Sequence, residues 1–186
     1  NTEDDIPTEI KHLKYLETLS LYGNVNTMIK EINLCPEVAT LNYLKALRIA
    51  AMGLVSLPNN FAELGDTLEL LDLNSNNLTT IPPFINAKNF PHLTSLDLST
   101  NRRTSLSDLR GVASNSGIYV DMRNDDAIHR LFTWENLEEL GLSFNYIEGE
   151  LPKFENGEYG VRAYTDKDIA ERGDTLRWAV ENRLPR

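Results

Sequence analysis

The sequence predicts an α/β solenoid, with short parallel strands stacked on a concave face and irregular, 3₁₀ or short helical segments returning along the convex side. Three observations carry this. A leucine pattern recurs at near-constant spacing, its leucines alternate with mostly polar or small residues, and Asn and Pro mark the points where each copy must bend.

The pattern is Leu, two variable residues, Leu, one variable residue, Leu, two variable residues, then usually Asn. It begins at Leu16 (LETLSLYGN), Leu44 (LKALRIAAM), Leu68 (LELLDLNSN), Leu93 (LTSLDLSTN) and Leu137 (LEELGLSFN). These starts lie 28, 24, 25 and 44 residues apart, so the first three separations hold one repeat each. The fourth is too long: between about Arg102 and Asn136 the chain holds either an insertion or a degenerate repeat. GIYVDMRN, near Ile118, is the best candidate for a worn strand there.

Alternation explains why such copies stack. In a short strand, successive side chains face opposite ways, so Leu19 and Leu21, Leu47 and Ile49, Leu71 and Leu73, Leu96 and Leu98, and Leu140 and Leu142 are expected to point inward as one continuous core. Asn24, Asn76, Asn101 and Asn145 follow the strands where the chain turns, and an amide there can pair with backbone groups that the bend exposes. Met52 takes this place in the second repeat, which removes those bonds and predicts a locally different turn. Leu57-Pro58 and Ile81-Pro82-Pro83 cannot continue a helix or donate to a ladder, so the return path there should be extended, followed by a short helical or 3₁₀ piece such as Phe61 to Leu64.

On these residues, from roughly Ile6 to Pro152, the chain resembles the leucine-rich repeat family. LEELGLSFNYIEGELP carries the Gly-x-x-Pro ending of plant-like repeats, while NLTTIPPFI and GLVSLPNNF carry the shorter Ile/Leu-Pro variant of bacterial type. The resemblance implies a binding solenoid of the kind found in secreted or surface proteins, bacterial ones included.

Residues 1–15 read as the return half of a preceding repeat whose strand is missing, 16–154 as the repeats with the irregular segment 102–136, and 155–186 as an insert, a capping unit or an irregular repeat. Repeat arrays need covered ends, which gives the last segment its expected role.

Composition limits the partners. Lys and Arg number 18 against 28 Asp and Glu, a formal net charge of -10 that repels phosphate backbones, so nucleic acid is not an expected partner. Charged and polar residues interrupt every apolar run, so no membrane span is expected. Cys35 is the sole cysteine and reads as a small buried hydrophobe. His12, His92 and His129 have no metal-ligand spacing, and no nucleophile, phosphate-loop or dinucleotide motif is present, so neither catalytic residues, metal nor cofactor are expected. Asn77-Leu78-Thr79 is a formal glycosylation sequon, but the repeat itself demands Asn-x-Leu at this place.

The outward strand positions list what the concave surface offers. Among them Tyr22, Arg48, Asp72, Asn74, Asp97, Ser99, Glu139 and Phe144 are the candidate binding residues. Tyr22 and Phe144 are aromatic anchors set among small polar residues. Asp72 and Asp97 fall at equivalent positions of adjacent repeats, either solvated, paired with Arg48, or close enough to invite a cation. The expected function is recognition of a protein, peptide or glycan by a secreted or cell-surface module. A structural or adhesive spacer, and an enzyme with its active residues in the irregular segments, are the alternatives.

Overall fold

The computed structural model describes residues 6–24, 31–101, 118–121, 127, 130, 131 and 134–148. In chain order the described strands are β1 (Thr18–Tyr22), β2 (Ile32–Asn33), β3 (Ala46–Ala50), β4 (Leu54–Ser56), β5 (Leu70–Asp72), β6 (Ser95–Asp97), β7 (Tyr119–Asp121), β8 (Glu139–Gly141) and β9 (Tyr146–Glu148). Five of them form one parallel sheet in the order β1-β3-β5-β6-β8. The fold is an α/β solenoid whose helical content, among the described residues, is mainly 3₁₀.

The strand register aligns the leucines. Leu19, Leu47, Leu71, Leu96 and Leu140 pair in a single row across the sheet, and all five are buried. A second inward row holds Ile49, Leu73, Leu98 and Leu142, also buried, with Leu21 half-buried at its end. Burying one such side chain contributes about 1.5–3 kcal/mol, so stacked coils share a core that no single coil could form.

On the convex side the 3₁₀ helices Thr8–His12, Pro36–Thr40 and Phe61–Asp66 lie against one another in successive coils. The last covers the piece expected at Phe61 to Leu64. Pro36 opens its helix, where a missing N–H costs no internal bond. Phe61 then packs against Phe84 and Phe90 of the next coil, with ring centroids 6.2 and 6.0 Å away. The coils touch closely at Gly65, where a Cβ would lie 1.6 Å from the Asn89 carbonyl oxygen, so no side chain fits.

Three expectations are corrected, the first only in part. The turn at Met52 keeps the common bend, since Ala51, Ser75, Thr100 and Phe144 have φ of 56, 57, 58 and 54° at the same place in four of the five coils, but it does differ one residue on, where Gly53 adds a left-handed φ of 79°. Met52 is harmless to its own coil because the amide that serves the bend comes from the next one, Asn76, whose Oδ1 accepts the Met52 N–H at 3.1 Å. Asn24 is exposed, so the buried amide ladder among the described residues starts at Asn76.

The third correction concerns the long separation. A strand does follow Ile118, but β7 pairs with β9 and stays out of the concave sheet, where β6 pairs directly with β8. Its neighbour Ile118 donates its N–H to Asn145 Oδ1, just as Leu54 donates to Asn76 and Leu78 to Asn101. Ile118 therefore occupies the post-turn place that Leu78 holds two residues after Asn76, and 102–117 fall between it and Asn101 in the sequence. That stretch, with Arg102 and Arg103, lies outside the described residues, as do the Gly-x-x-Pro ending and 155–186. Among the described residues no helix is long and apolar enough to cross a membrane.

Candidate functional site

Facing outward from the sheet, the register sets Ser20, Arg48, Asp72, Asp97 and Gly141 in one row, and Thr18, Ala46, Leu70, Ser95 and Glu139 in the next. Together these rows shape a cavity of about 180 Å³ on the concave face. Arg48, Asp72, Asp97 and Glu139 supply its charge, Leu70 an apolar wall, and Gly141 its open end.

Each aspartate is held by its own coil, and Glu139 by a side chain of the coil before it. Asp72 Oδ1 accepts the backbone N–H of Asn74 at 3.0 Å and its side-chain Nδ2 at 2.6 Å. Asp97 Oδ1 accepts the Ser99 N–H at 2.9 Å, and the Ser95 hydroxyl donates to Glu139 Oε2 at 2.9 Å. Aspartate thus bridges the end of its strand and the left-handed turn that follows, which is a local backbone role as well as a surface one. Among the described residues no acid lies within ion-pair distance of Arg48, so of the alternatives for Asp72 and Asp97 the pairing with Arg48 is not formed. The pair seen at this level of the sheet is Lys45 with Glu17, 3.1 Å apart on the exposed rim.

Gly141 decides the cavity's shape. Asp97 leans over it: a Cβ at 141 would lie 2.2 Å from Asp97 Oδ1 and 2.8 Å from Ser99 Oγ. Any larger residue would push the carboxylate aside and fill the opening.

Of the eight residues singled out by alternation, four line the cavity: Arg48, Asp72, Asp97 and Glu139. Asn74 and Ser99 stand behind the aspartates as donors; Ser99 is buried, and its hydroxyl meets Ser143 Oγ at 3.1 Å. Tyr22 and Phe144 are exposed at 64% and 57% and do not line the cavity, so the structure does not join them to it. Leu70, Ser95 and Gly141 line the cavity too, although their residue types did not mark them out. Outward alternation placed them there, and nothing else in the sequence signalled their role. Cys35 is half-buried, and burial, with the Glu37 carboxylate adding to it, pushes its thiol up from the usual value, which keeps it in the unreactive form.

Comparison with known proteins matches this geometry. Two family-level patterns fit the chain: "Leucine Rich repeats (2 copies)" over residues 66–111 and "Leucine Rich Repeat" over residues 136–155. These two stretches are leucine-rich repeats. The chain is 33% identical over 108 residues to chaoptin of Drosophila melanogaster, an alignment covering 54% of the chain and 8% of chaoptin. It superposes on a leucine-rich repeat protein of Leptospira interrogans with a TM-score of 0.56 and 27% identity, over 82% of the chain and 31% of that protein. The plant peptide hormone receptor RGFR1, solved in complex with RGF2, superposes with a TM-score of 0.51 and 25% identity, over 82% of the chain and 24% of the receptor. The chain spans well under half the length of each relative.

Proposed function

We propose that this chain is a non-enzymatic recognition module, secreted or at a cell surface, that takes a protein or peptide along its concave sheet. One observation carries the reading. The concave face presents two aspartates that the backbone of their own turns holds in place, and a glutamate bonded to the Ser95 hydroxyl, around an open cavity, so these acids are ordered before any partner arrives. The likeness to a peptide hormone receptor solved with RGF2 supports a polypeptide partner. Binding then draws on Arg48, Asp72, Asp97 and Glu139 at the centre, with Tyr22 and Phe144 as separate aromatic contacts at the two ends of the sheet.

The test is a binding screen of the purified chain against secreted proteins and peptides, with hits repeated on a variant carrying Tyr22→Ala, Asp72→Asn, Asp97→Asn and Phe144→Ala. Asparagine keeps the Oδ1 acceptor that the turns require, so the fold is retained while the charge is removed. At least tenfold weaker binding is expected. Binding that survives all four substitutions would reject use of the concave face.

A further inference from the structure

One cavity holds groups of opposite sign, and the strand register fixes how far apart they stand. Arg48 is on β3, Asp72 on the adjacent β5, and Asp97 on β6 beyond it, all in the same outward row. Adjacent strands lie roughly 4.8 Å apart, so the Arg48 strand is about 7 Å from a point midway between Asp72 and Asp97. In an extended peptide, side chains two residues apart share one face and are also separated by about 7 Å. The two spacings match.

The volume narrows the occupant. About 180 Å³ is smaller than the roughly 300–1,000 Å³ of pockets that take whole small-molecule ligands. It suits a single long side chain, whose methylenes would lie on Leu70 while its head meets the carboxylates. Arg48, meanwhile, has no acid partner among the described residues and stands at the cavity's other end. A metal does not fit the same data: among the described residues no group of three or more His, Cys, Asp and Glu is placed to hold one.

We propose that the cavity reads an extended partner segment lying along the solenoid axis, with an acidic side chain over Arg48 and a basic side chain two residues away between Asp72 and Asp97. This rests on the concave-face reading and names the chemistry that it recognises. The net charge of -10 steers a basic segment toward the chain, while Arg48 sets the register by demanding an acid at one defined distance.

The experiment uses the full 186-residue chain and short synthetic peptides, Ser-Asp-Ser-Arg-Ser and Ser-Arg-Ser-Asp-Ser in blocked form, against Ser-Ser-Asp-Arg-Ser of equal charge. Binding is followed by backbone amide NMR. One of the two spaced peptides is expected to shift the amides of residues 48, 72, 97 and 141 and to bind at least tenfold tighter than the adjacent pair. Arg48, whose side chain makes no bond among the described residues, is changed to glutamate: Arg48→Glu should reverse the preference at that position and favour Ser-Arg-Ser-Arg-Ser at least fivefold. Equal affinity for spaced and adjacent peptides, or an unchanged ranking with Arg48→Glu, overturns the proposal. If no peptide binds while a protein partner crosslinks to positions 72 and 97, this proposal fails and the concave-face reading stands. A partner that crosslinks only to the convex side ends both.

Discussion

Asn101 serves the coil before its own: its Oδ1 accepts the N–H of Leu78 at 3.1 Å across the coil boundary. The same side chain donates through Nδ2 to Leu73 O of that earlier coil at 3.1 Å and to Leu98 O of its own at 2.8 Å. With Asn101 fully buried, no water can replace these bonds. Asn101→Leu should therefore destabilise the chain by about 3 kcal/mol, since each orphaned buried backbone group costs about 1–3 kcal/mol. Asn24→Ala, on the exposed surface, should cost under about 0.5 kcal/mol. Urea unfolding of the two variants checks the contrast, and equal midpoints would contradict the ladder.

Gly65 and Gly141 both lack room for a Cβ, but what fills the space differs. At Gly65 the obstacle is the Asn89 backbone, which cannot move without separating two coils. Gly65→Ala should cost at least about 3 kcal/mol, at the upper end of overpacking effects. At Gly141 the obstacle is the Asp97 side chain, which can rotate. Gly141→Ala should cost less than about 1.5 kcal/mol, yet close the cavity and abolish peptide binding. Thermal melts alongside a binding assay separate the two outcomes.

The inward leucines and the buried amides were legible because their roles are periodic: Leu96 and Asn101 do what Leu71 and Asn76 do. Direction was not legible. That Asn76 repairs the bend at Met52 depends on where the neighbouring coil comes to rest, which one repeat read alone does not state. The strand after Ile118 was visible as a strand, but its partner was not, because three residues of extended chain can pair in either sheet. In the candidate site, alternation placed Asp72 and Asp97 outward, while their bonds to the turn and the yielding of Gly141 to Asp97 are set by side-chain rotamers.

Thr100 adopts φ 58° with a β-branched side chain, a conformation that L residues other than Asn, Asp and Gly rarely take. Thr100→Asn should stabilise the chain by about 1 kcal/mol, because Asn tolerates this region without adding glycine's freedom to the unfolded state. A rise in the urea midpoint is expected, and a fall would show that the Thr100 methyl packs more favourably than its backbone is strained.

Arg130 fastens its own coil to the convex side of the one before. The two N–H groups of its Nη1 are shared among the carbonyls of Pro82, Pro83 and Ile85, at 3.1, 3.0 and 3.0 Å, in a stretch where two prolines offer no N–H in return. Arg130→Met should cost about 1–3 kcal/mol, chiefly through the Ile85 carbonyl, because Pro82 O still accepts the Ile85 N–H and Pro83 O the Asn86 side-chain amide, each at 3.0 Å. Lysine should recover less than half of the loss, since its ammonium lacks the planar fork that arginine brings to such an arrangement. Full recovery by lysine would reduce the role to charge alone, and denaturant midpoints of the three proteins decide it.

Asn77 opens the one glycosylation sequon of the chain, and it is buried at 3% exposure with its backbone N–H bonded to Leu54 O at 2.8 Å. A branched sugar on this side chain would have to occupy the space between coils, so modification and the native stack exclude each other. Chain secreted from a glycosylating host should therefore leave the cell without sugar at Asn77, and glycosidase treatment should not change its mass. Asn77→Gln, offered as the usual control for lost glycosylation, should instead lower stability by about 1–3 kcal/mol through overpacking. Folded, secreted protein carrying a glycan at this residue would show that the coils part there far more readily than their close packing implies.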